Sequence, residues 1–371
     1  MIEASAREGG WRSGQVASLR RRSAAGTAKP FLALLLAVAF GVSGCQTRES
    51  PRVGAPVGFV GLTMGTSYSV KVARLPTGLT QSELRDEVNR RLERLNALMS
   101  TFRDDSEVSR FNASASTDWF SVSRETAVVV SEAQRISQLT HGAFDVTVEP
   151  LVKLWHFGPD DGEFRVPTEE QIRSAQQRVG FENLEVRLNP PALRKKRSGL
   201  TIDLSAIAKG YAVDQVAEYL ESAGVSGYLV EIGGETRTRG TKADGQPWRV
   251  GIEQPDATRI AVLRVIELRD GAVATSGDYR NFFVHAGKRY SHEIDPRTGR
   301  PIEFRLALVS VVHRSCMTAD ALATAIMVMG PDEGYNFAID EGLAVLMVER
   351  TSAGLRVKTT PKFQQLFGPE S

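Results

Sequence analysis

Cysteine is nearly missing from this chain: 371 residues carry two, Cys45 and Cys316. If Cys45 has another fate, no disulfide is possible within the chain, and the fold must rest on its apolar core. Histidine is scarce too, with five copies, and no His/Cys cluster has the spacing of a zinc site. An excess of one charge is also lacking. The 46 Lys and Arg against 44 Asp and Glu leave a net of +2, so no nucleic-acid footprint is visible. The sequence has no tandem repeat and no low-complexity tract. Lys209-Gly210 inverts the P-loop order and lacks its leading glycines. Gly-x-Ser-x-Gly and Ser/Lys hydrolase patterns are absent as well.

Long apolar runs are confined to one place. Phe31–Phe40 is unbroken Phe, Leu, Ala and Val, preceded by the basic stretch Arg20–Lys29 and followed by Val42-Ser43-Gly44-Cys45. Charged, then apolar, then small is the order of a secretory signal, and the run is too short to span a bilayer comfortably. Small residues directly before a cysteine resemble a bacterial lipobox. The expectation is a signal peptide over residues 1–44, lipid on the Cys45 thiol, and a Pro-, Gly- and Ser-rich tether over 45–57. Two acyl chains would anchor the protein without a transmembrane helix. The folded part, 58–371, would then be lipid-anchored in the cell envelope and face the periplasm.

The organising stretch is Thr201–Gly234. An extended segment, Thr201 to Leu204, runs into a turn at Ser205-Ala206. A helix follows with Val213, Val216, Ala217 and Leu220 at helical spacing, Gly224 stops it, and Tyr228–Ile232 reads as a buried strand before Gly233-Gly234. Upstream, Tyr68–Ala73 alternates as a strand. Thr80-Gln81-Ser82-Glu83 is a capping box for a helix burying Leu84, Val88, Leu92, Leu95 and Met99. Ser123 opens a second helix over Arg124–Thr140, and Thr168 to Gln171 is another capping box. Arg103–Glu107 reads as a polar turn, and Arg194–Arg197 as a solvated hairpin tip or loop. Downstream, Trp248–Ile252, Ala261–Leu268, Val273–Tyr279 and Leu308–Val312 read as extended. Ala319 opens a helix closing at Gly330-Pro331, and Leu343–Val348 is the final strand. The order of elements predicts a single α+β domain.

Chemistry gathers at a few points. Asp320 and Thr324 stand four apart on a helix, hence on one face. Two hard oxygen donors suit magnesium, and the main-chain oxygen of the Ser205–Ala206 turn would add a third. The same pair also fits an acid favouring the helix dipole and a threonine bonding back to its own turn. His292, with Asp295 three residues on, has the makings of a general base with an orienting carboxylate, or of a surface histidine in a strand. Asp203 and Lys209 flank the organising turn; a phosphate contact and a helix-face salt bridge are both open to Lys209.

Nine segments taken in order resemble the ApbE family of flavin transferases. They are Met64-Gly65-Thr66, Met99–Phe102, Gly142–Thr147, Pro150–Trp155, Asp203–Tyr211, Ile232-Gly233-Gly234, Ala274–Tyr279, His292–Gly299 and Ala319–Thr324. The resemblance spans Gly58 to Phe367. It implies the family's own α+β fold and transfer of the FMN part of FAD, with magnesium, to a Thr or Ser hydroxyl of an acceptor protein, releasing AMP. Hydrolysis of FAD to FMN and AMP is the alternative chemistry for the same site. The implied acceptors are flavin-bearing subunits of membrane electron-transport complexes. The resemblance also implies flavin contacts at Met64, Phe102, Ala143, Phe144, Asp145, Asp203, Lys209 and Ile294. Magnesium would lie at Ala206, Asp320 and Thr324, and His292 would be the base. Phe102 stands where the family commonly has Tyr, Ser291 where a second His is frequent, and Glu235 where Asp or Asn is usual.

Overall fold

A computed structural model describes residues 56–157, 164–256, 261–279, 281–303 and 305–369. The expected signal peptide, Cys45 and nearly all of the tether lie outside them. Among the described residues no helix is long and apolar enough to cross a membrane. The fold is built on a sheet of eight strands. In chain order these are β1 (Val57–Thr63), β2 (Thr66–Val72), β6 (Tyr228–Ile232), β7 (Glu235–Arg239), β10 (Gly271–Gly277), β15 (Leu306–His313), β16 (Ala344–Thr351) and β17 (Gly354–Thr359), and each pairs antiparallel with the next. The smaller strands form β3 (Phe120–Ser121), β4 (Leu184–Leu188) and β5 (Pro191–Lys195) in one sheet. Three two-stranded ribbons complete the set: β8 (Trp248–Glu253) with β9 (Val262–Leu268), β11 (Phe282–His285) with β12 (Lys288–Ser291), and β13 (Ile294–Asp295) with β14 (Arg300–Pro301).

Strand alternation lets both faces of the large sheet bury apolar side chains. On β6, Tyr228, Val230 and Ile232 enter the main core while Leu229 enters a second one. The main core is covered by α1 (Gln81–Met99), α3 (Arg124–Leu139), α6 (Ala208–Ser222) and α7 (Cys316–Asp340). The second is closed by the β8–β9 ribbon and by α8 (Pro361–Phe367), through Trp248, Ile252, Ile266 and Phe363. Three short helices, α2 (Glu107–Ala113), α4 (Glu149–Leu154) and α5 (Glu169–Gln176), pack at the margins. The α+β expectation holds, and the capping boxes at Thr80 and Thr168 both close as read. All five apolar residues expected inside α1 are buried.

Several sequence readings are corrected. The polar turn after Phe102 is short, because Ser106 caps α2 by accepting from Ser109 N and Val108 and Phe111 are buried. Of the basic run Arg194–Arg197, Lys196 and Arg197 are exposed in a bend as read, whereas Arg194 and Lys195 belong to a strand. Lys195 lies on β5 with 1% exposure, and its ammonium donates to the carbonyls of Asn112 (3.2 Å) and Ser114 (2.7 Å), capping the end of α2. Helix α7 begins at Cys316 rather than Ala319, capped by Ser315; its helical backbone breaks at Gly330 before Pro331, where the sequence closes the helix. Leu343–Val348 is not the final strand, since β17 and α8 follow it.

Candidate active site

The site forms where the start of α6 meets the start of α7. Asp203 turns the chain: its backbone N–H donates to Val146 O at 2.7 Å, and its carboxylate accepts from Ser205 N at 2.8 Å. The two helices then approach through Gly210, whose N–H donates to Asp320 Oδ2 at 2.9 Å. A Cβ at Gly210 would sit 2.4 Å from the Cys316 carbonyl oxygen, so only glycine lets the helices meet there. One turn further along α6, the buried Asp214 accepts from the backbone N–H groups of Cys316 and Met317, both at 3.0 Å. It also accepts from Ser315 Oγ at 2.8 Å and Arg237 at 2.7 Å. A carboxylate on α6 thus satisfies the orphan donors of α7 and fixes where that helix begins.

Asp320 is 3% exposed and lies in the second turn of α7, so it is not the partly exposed helix-start residue its position suggests. The Lys209 ammonium stands 3.1 Å from Glu235 Oε1 and 3.6 Å from Asp320 Oδ1. Of the two roles open to Lys209, the structure shows the ion pair. Burial works against the lysine's charge, but Asp320 and Glu235 outweigh it and hold its pKa above the ordinary value. Burial, with Asp320 adding to it, pushes the Glu235 carboxyl well up despite Lys209. Glu235 Oε2 is buried with no hydrogen-bond partner. One lysine therefore faces two buried carboxyl groups. Thr324, one turn beyond Asp320, places its hydroxyl 3.1 Å from Ser276 Oγ. A carboxylate and a hydroxyl oxygen one helical turn apart fit a hard divalent cation such as magnesium.

These groups line a cleft of about 910 Å³. Around it the structure brings together Met64, Phe102, Ala143, Phe144, Asp145, Asp203, Ala206, Lys209, His292, Ile294, Asp320 and Thr324. Met64 and Gly65 form the two-residue β1–β2 turn with φ of +48° and +72°, which carries the methionine to the cleft. Phe102 is 70% exposed there, an open ring face. Asp145 is buried and accepts from Thr147 N and Thr147 Oγ1, both at 2.7 Å, and from Phe181 N at 2.9 Å. Burial raises its pKa to about 6 against those bonds, and burial likewise raises Asp203.

His292 also lines the cleft. Its Nδ1 lies 3.0 Å from the Asn281 carbonyl oxygen, which can only accept, so Nδ1 carries the proton and Nε2 keeps the lone pair of a base. Asp295 does not orient it. That carboxylate is taken by its own turn, accepting from Arg297 N at 2.9 Å and Arg297 Nε at 3.0 Å, and Asp295 does not line the cleft. The reason is local: in Asp295-Pro296-Arg297-Thr298-Gly299 the aspartate closes the turn that Pro296 and Gly299 shape, and Gly299 N donates to Asp295 O at 2.8 Å. The carboxylate beside the imidazole is Glu293, 3.6 Å from Nε2. Sequence reasoning missed Glu293, although it adjoins His292. Asn281 and Asp214 carry no motif and were not found; Ser276 lies in the segment Ala274–Tyr279 but was given no role.

Comparison with known proteins finds relatives over most of the chain. A family model described as the ApbE family matches residues 64–347. The FAD:protein FMN transferase of Vibrio cholerae is 46% identical over 323 residues, covering 87% of this chain and 95% of that protein. Its counterpart in Escherichia coli K12 is 36% identical over 341 residues, covering 91% and 97%. Among solved structures, the flavin transferase ApbE from Vibrio cholerae superposes with a TM-score of 0.77 at 46% identity, covering 84% of this chain and 99% of that one. The apo flavinyl transferase ApbE of Pseudomonas stutzeri gives 0.79 at 41%, covering 85% and 98%.

Proposed function

The chain belongs to the ApbE family, and from that premise we propose how it works as an FAD:protein FMN transferase. The observation that carries the reading is the convergence of α6, α7, the Met64–Gly65 turn and His292 on one cleft, from positions more than two hundred residues apart in sequence. FAD is the substrate. Its flavin lies against the apolar side of the cleft, formed by Met64, Phe102, Phe144 and Ile294, and its diphosphate lies toward Asp320 and Thr324. Asp320, Thr324 and the Ala206 carbonyl would hold a magnesium ion, which when bound neutralises diphosphate charge.

The protein's own groups perform the proton transfer. The acceptor's Thr or Ser hydroxyl gives its proton to Nε2 of His292, held in the right tautomer by Asn281. The freed oxygen bonds to the flavin-side phosphorus, the bond from that phosphorus to the bridging oxygen breaks, and AMP leaves with the electron pair. Lys209 keeps Asp320 and Glu235 from repelling one another. The acceptors are flavin-bearing subunits of membrane electron-transport complexes, reached from a lipid anchor at Cys45 on the periplasmic side of the envelope. The test is incubation with FAD, magnesium and an acceptor segment bearing the Thr, beside a Thr-to-Ala control. Flavin fluorescence surviving denaturation on the Thr segment alone supports transfer. Free FMN and AMP without covalent flavin would make the protein an FAD pyrophosphatase.

A further inference from the structure

Glu293 is placed in a way that packing does not explain. Its side chain is 11% exposed, and among the described residues its carboxylate receives no hydrogen bond; its one ion-pair neighbour is His292 Nε2 at 3.6 Å. An isolated strand would point His292 and Glu293 to opposite sides. The bend between β12 and β13 instead brings both to the cleft. Burying a carboxylate without a donor is unfavourable. Burial accordingly raises the Glu293 pKa; His292 and Lys209 oppose it, and Asp278 and Asp320 add to it.

We propose that Glu293 is a positioning residue for the general base: its carboxylate faces Nε2 of His292 and stabilises the imidazolium formed when the acceptor hydroxyl is deprotonated. The inference rests on the FMN-transfer reading for the identity of that hydroxyl. With Nδ1 donating to Asn281, the neutral ring turns a lone pair toward another acceptor, and the two stand 3.6 Å apart without a hydrogen bond. Once Nε2 gains the proton, the same geometry becomes a cation beside an anion, ready to close into a charge-assisted bond. No atom of Glu293 is consumed. The proton moves from the hydroxyl to Nε2, the new oxygen–phosphorus bond forms, AMP departs, and the imidazolium later returns its proton to solvent.

The experiment compares Glu293→Gln and Glu293→Asp in the full chain. The Gln variant should bind FAD and melt as the parent does, yet transfer FMN about 10–100-fold more slowly at neutral pH. The acid limb of its rate profile should move to lower pH, and the Asp variant should recover part of the rate. A Gln variant with the parent's rate and an unmoved acid limb overturns the proposal. So does an equal loss in Gln and Asp at every pH, since that marks a packing role. NMR titration of the His292 ring without FAD is independent of any acceptor. Protonation at lower pH in the Gln variant supports the coupling even if transfer is never seen, and an unchanged titration refutes it.

Discussion

Replacing Gly210 by alanine pits two effects of opposite sign against each other. Gly210 is inside α6, where alanine is the better helix former by about 1 kcal/mol. Its missing Cβ, however, is where α7 passes: the added atom would lie 2.4 Å from Cys316 O, 2.7 Å from Cys316 C and 2.8 Å from Asp320 Cβ. Ordinary carbon contacts begin at about 3.5 Å, so the helices must part by roughly 1 Å. Two of the three obstacles are backbone atoms, which no rotamer change can clear. Asp214 ties the start of α7 to α6, and α7 also packs on β10 and β15, so the displacement strains the core. Overpacking of this kind destabilises by about 1–3 kcal/mol. After the propensity gain, the net loss is about 0–2 kcal/mol, or up to roughly 6 °C in Tm. The Gly210 N–H bond to Asp320 is lost or lengthened, and a carboxylate moved by roughly 1 Å should slow transfer by about 10–100-fold. Calorimetric melting and single-turnover transfer at saturating FAD and magnesium measure both. A variant that melts higher and keeps its rate would refute the close α6–α7 contact.

Other perturbations read other parts of the site. Asp320→Asn keeps an oxygen for the Gly210 N–H and leaves Lys209 paired with Glu235, so stability should change by less than about 2 kcal/mol. Its transfer rate should fall by roughly 100-fold or more, and full transfer in magnesium would sink the metal assignment. Phe102→Ala should leave melting unchanged because the ring is 70% exposed. It should weaken FAD binding by roughly 2–10-fold through a lost stack, measured by flavin fluorescence quenching. Burial raises the Asp145 pKa from the ordinary 3.8 to about 6, so the folded state holds a proton that the unfolded chain releases first. Its contribution to stability therefore falls as pH rises from about 4 to about 6. Parent stability minus that of Asp145→Asn should drop by up to about 3 kcal/mol across that window in urea titrations. A flat difference would show that Asp145 is not desolvated.

Local signals in the sequence reached far into this structure. The Thr80 box names the N-cap of α1 and the 3-4 spacing of Leu84, Val88, Leu92, Leu95 and Met99 names its buried face, because both depend on neighbours within two turns. β6 was legible for the same reason, as five residues bounded by glycines. The order of the eight-stranded sheet was not, since pairing β2 with β6 joins residues about 160 apart. Lys195 shows the limit from the other side: its charge suggested solvent, and only the distant end of α2 explains its burial. In the site, motif residues were found wherever the chain folds back on them. Asp295 misled because spacing cannot tell an aspartate that closes its own turn from one that holds a neighbouring ring. Glu293 escaped notice because strand alternation points it away from His292, and a bend reverses that.

The most direct measurement is a crystal structure with FAD and magnesium bound and acceptor absent. The isoalloxazine ring should lie against Met64 and Phe102, and the diphosphate beside Asp320 and Thr324 with its flavin-side phosphorus open toward Nε2 of His292. FAD bound in any other cavity, or with its diphosphate turned away from the first turns of α7, would contradict this placement.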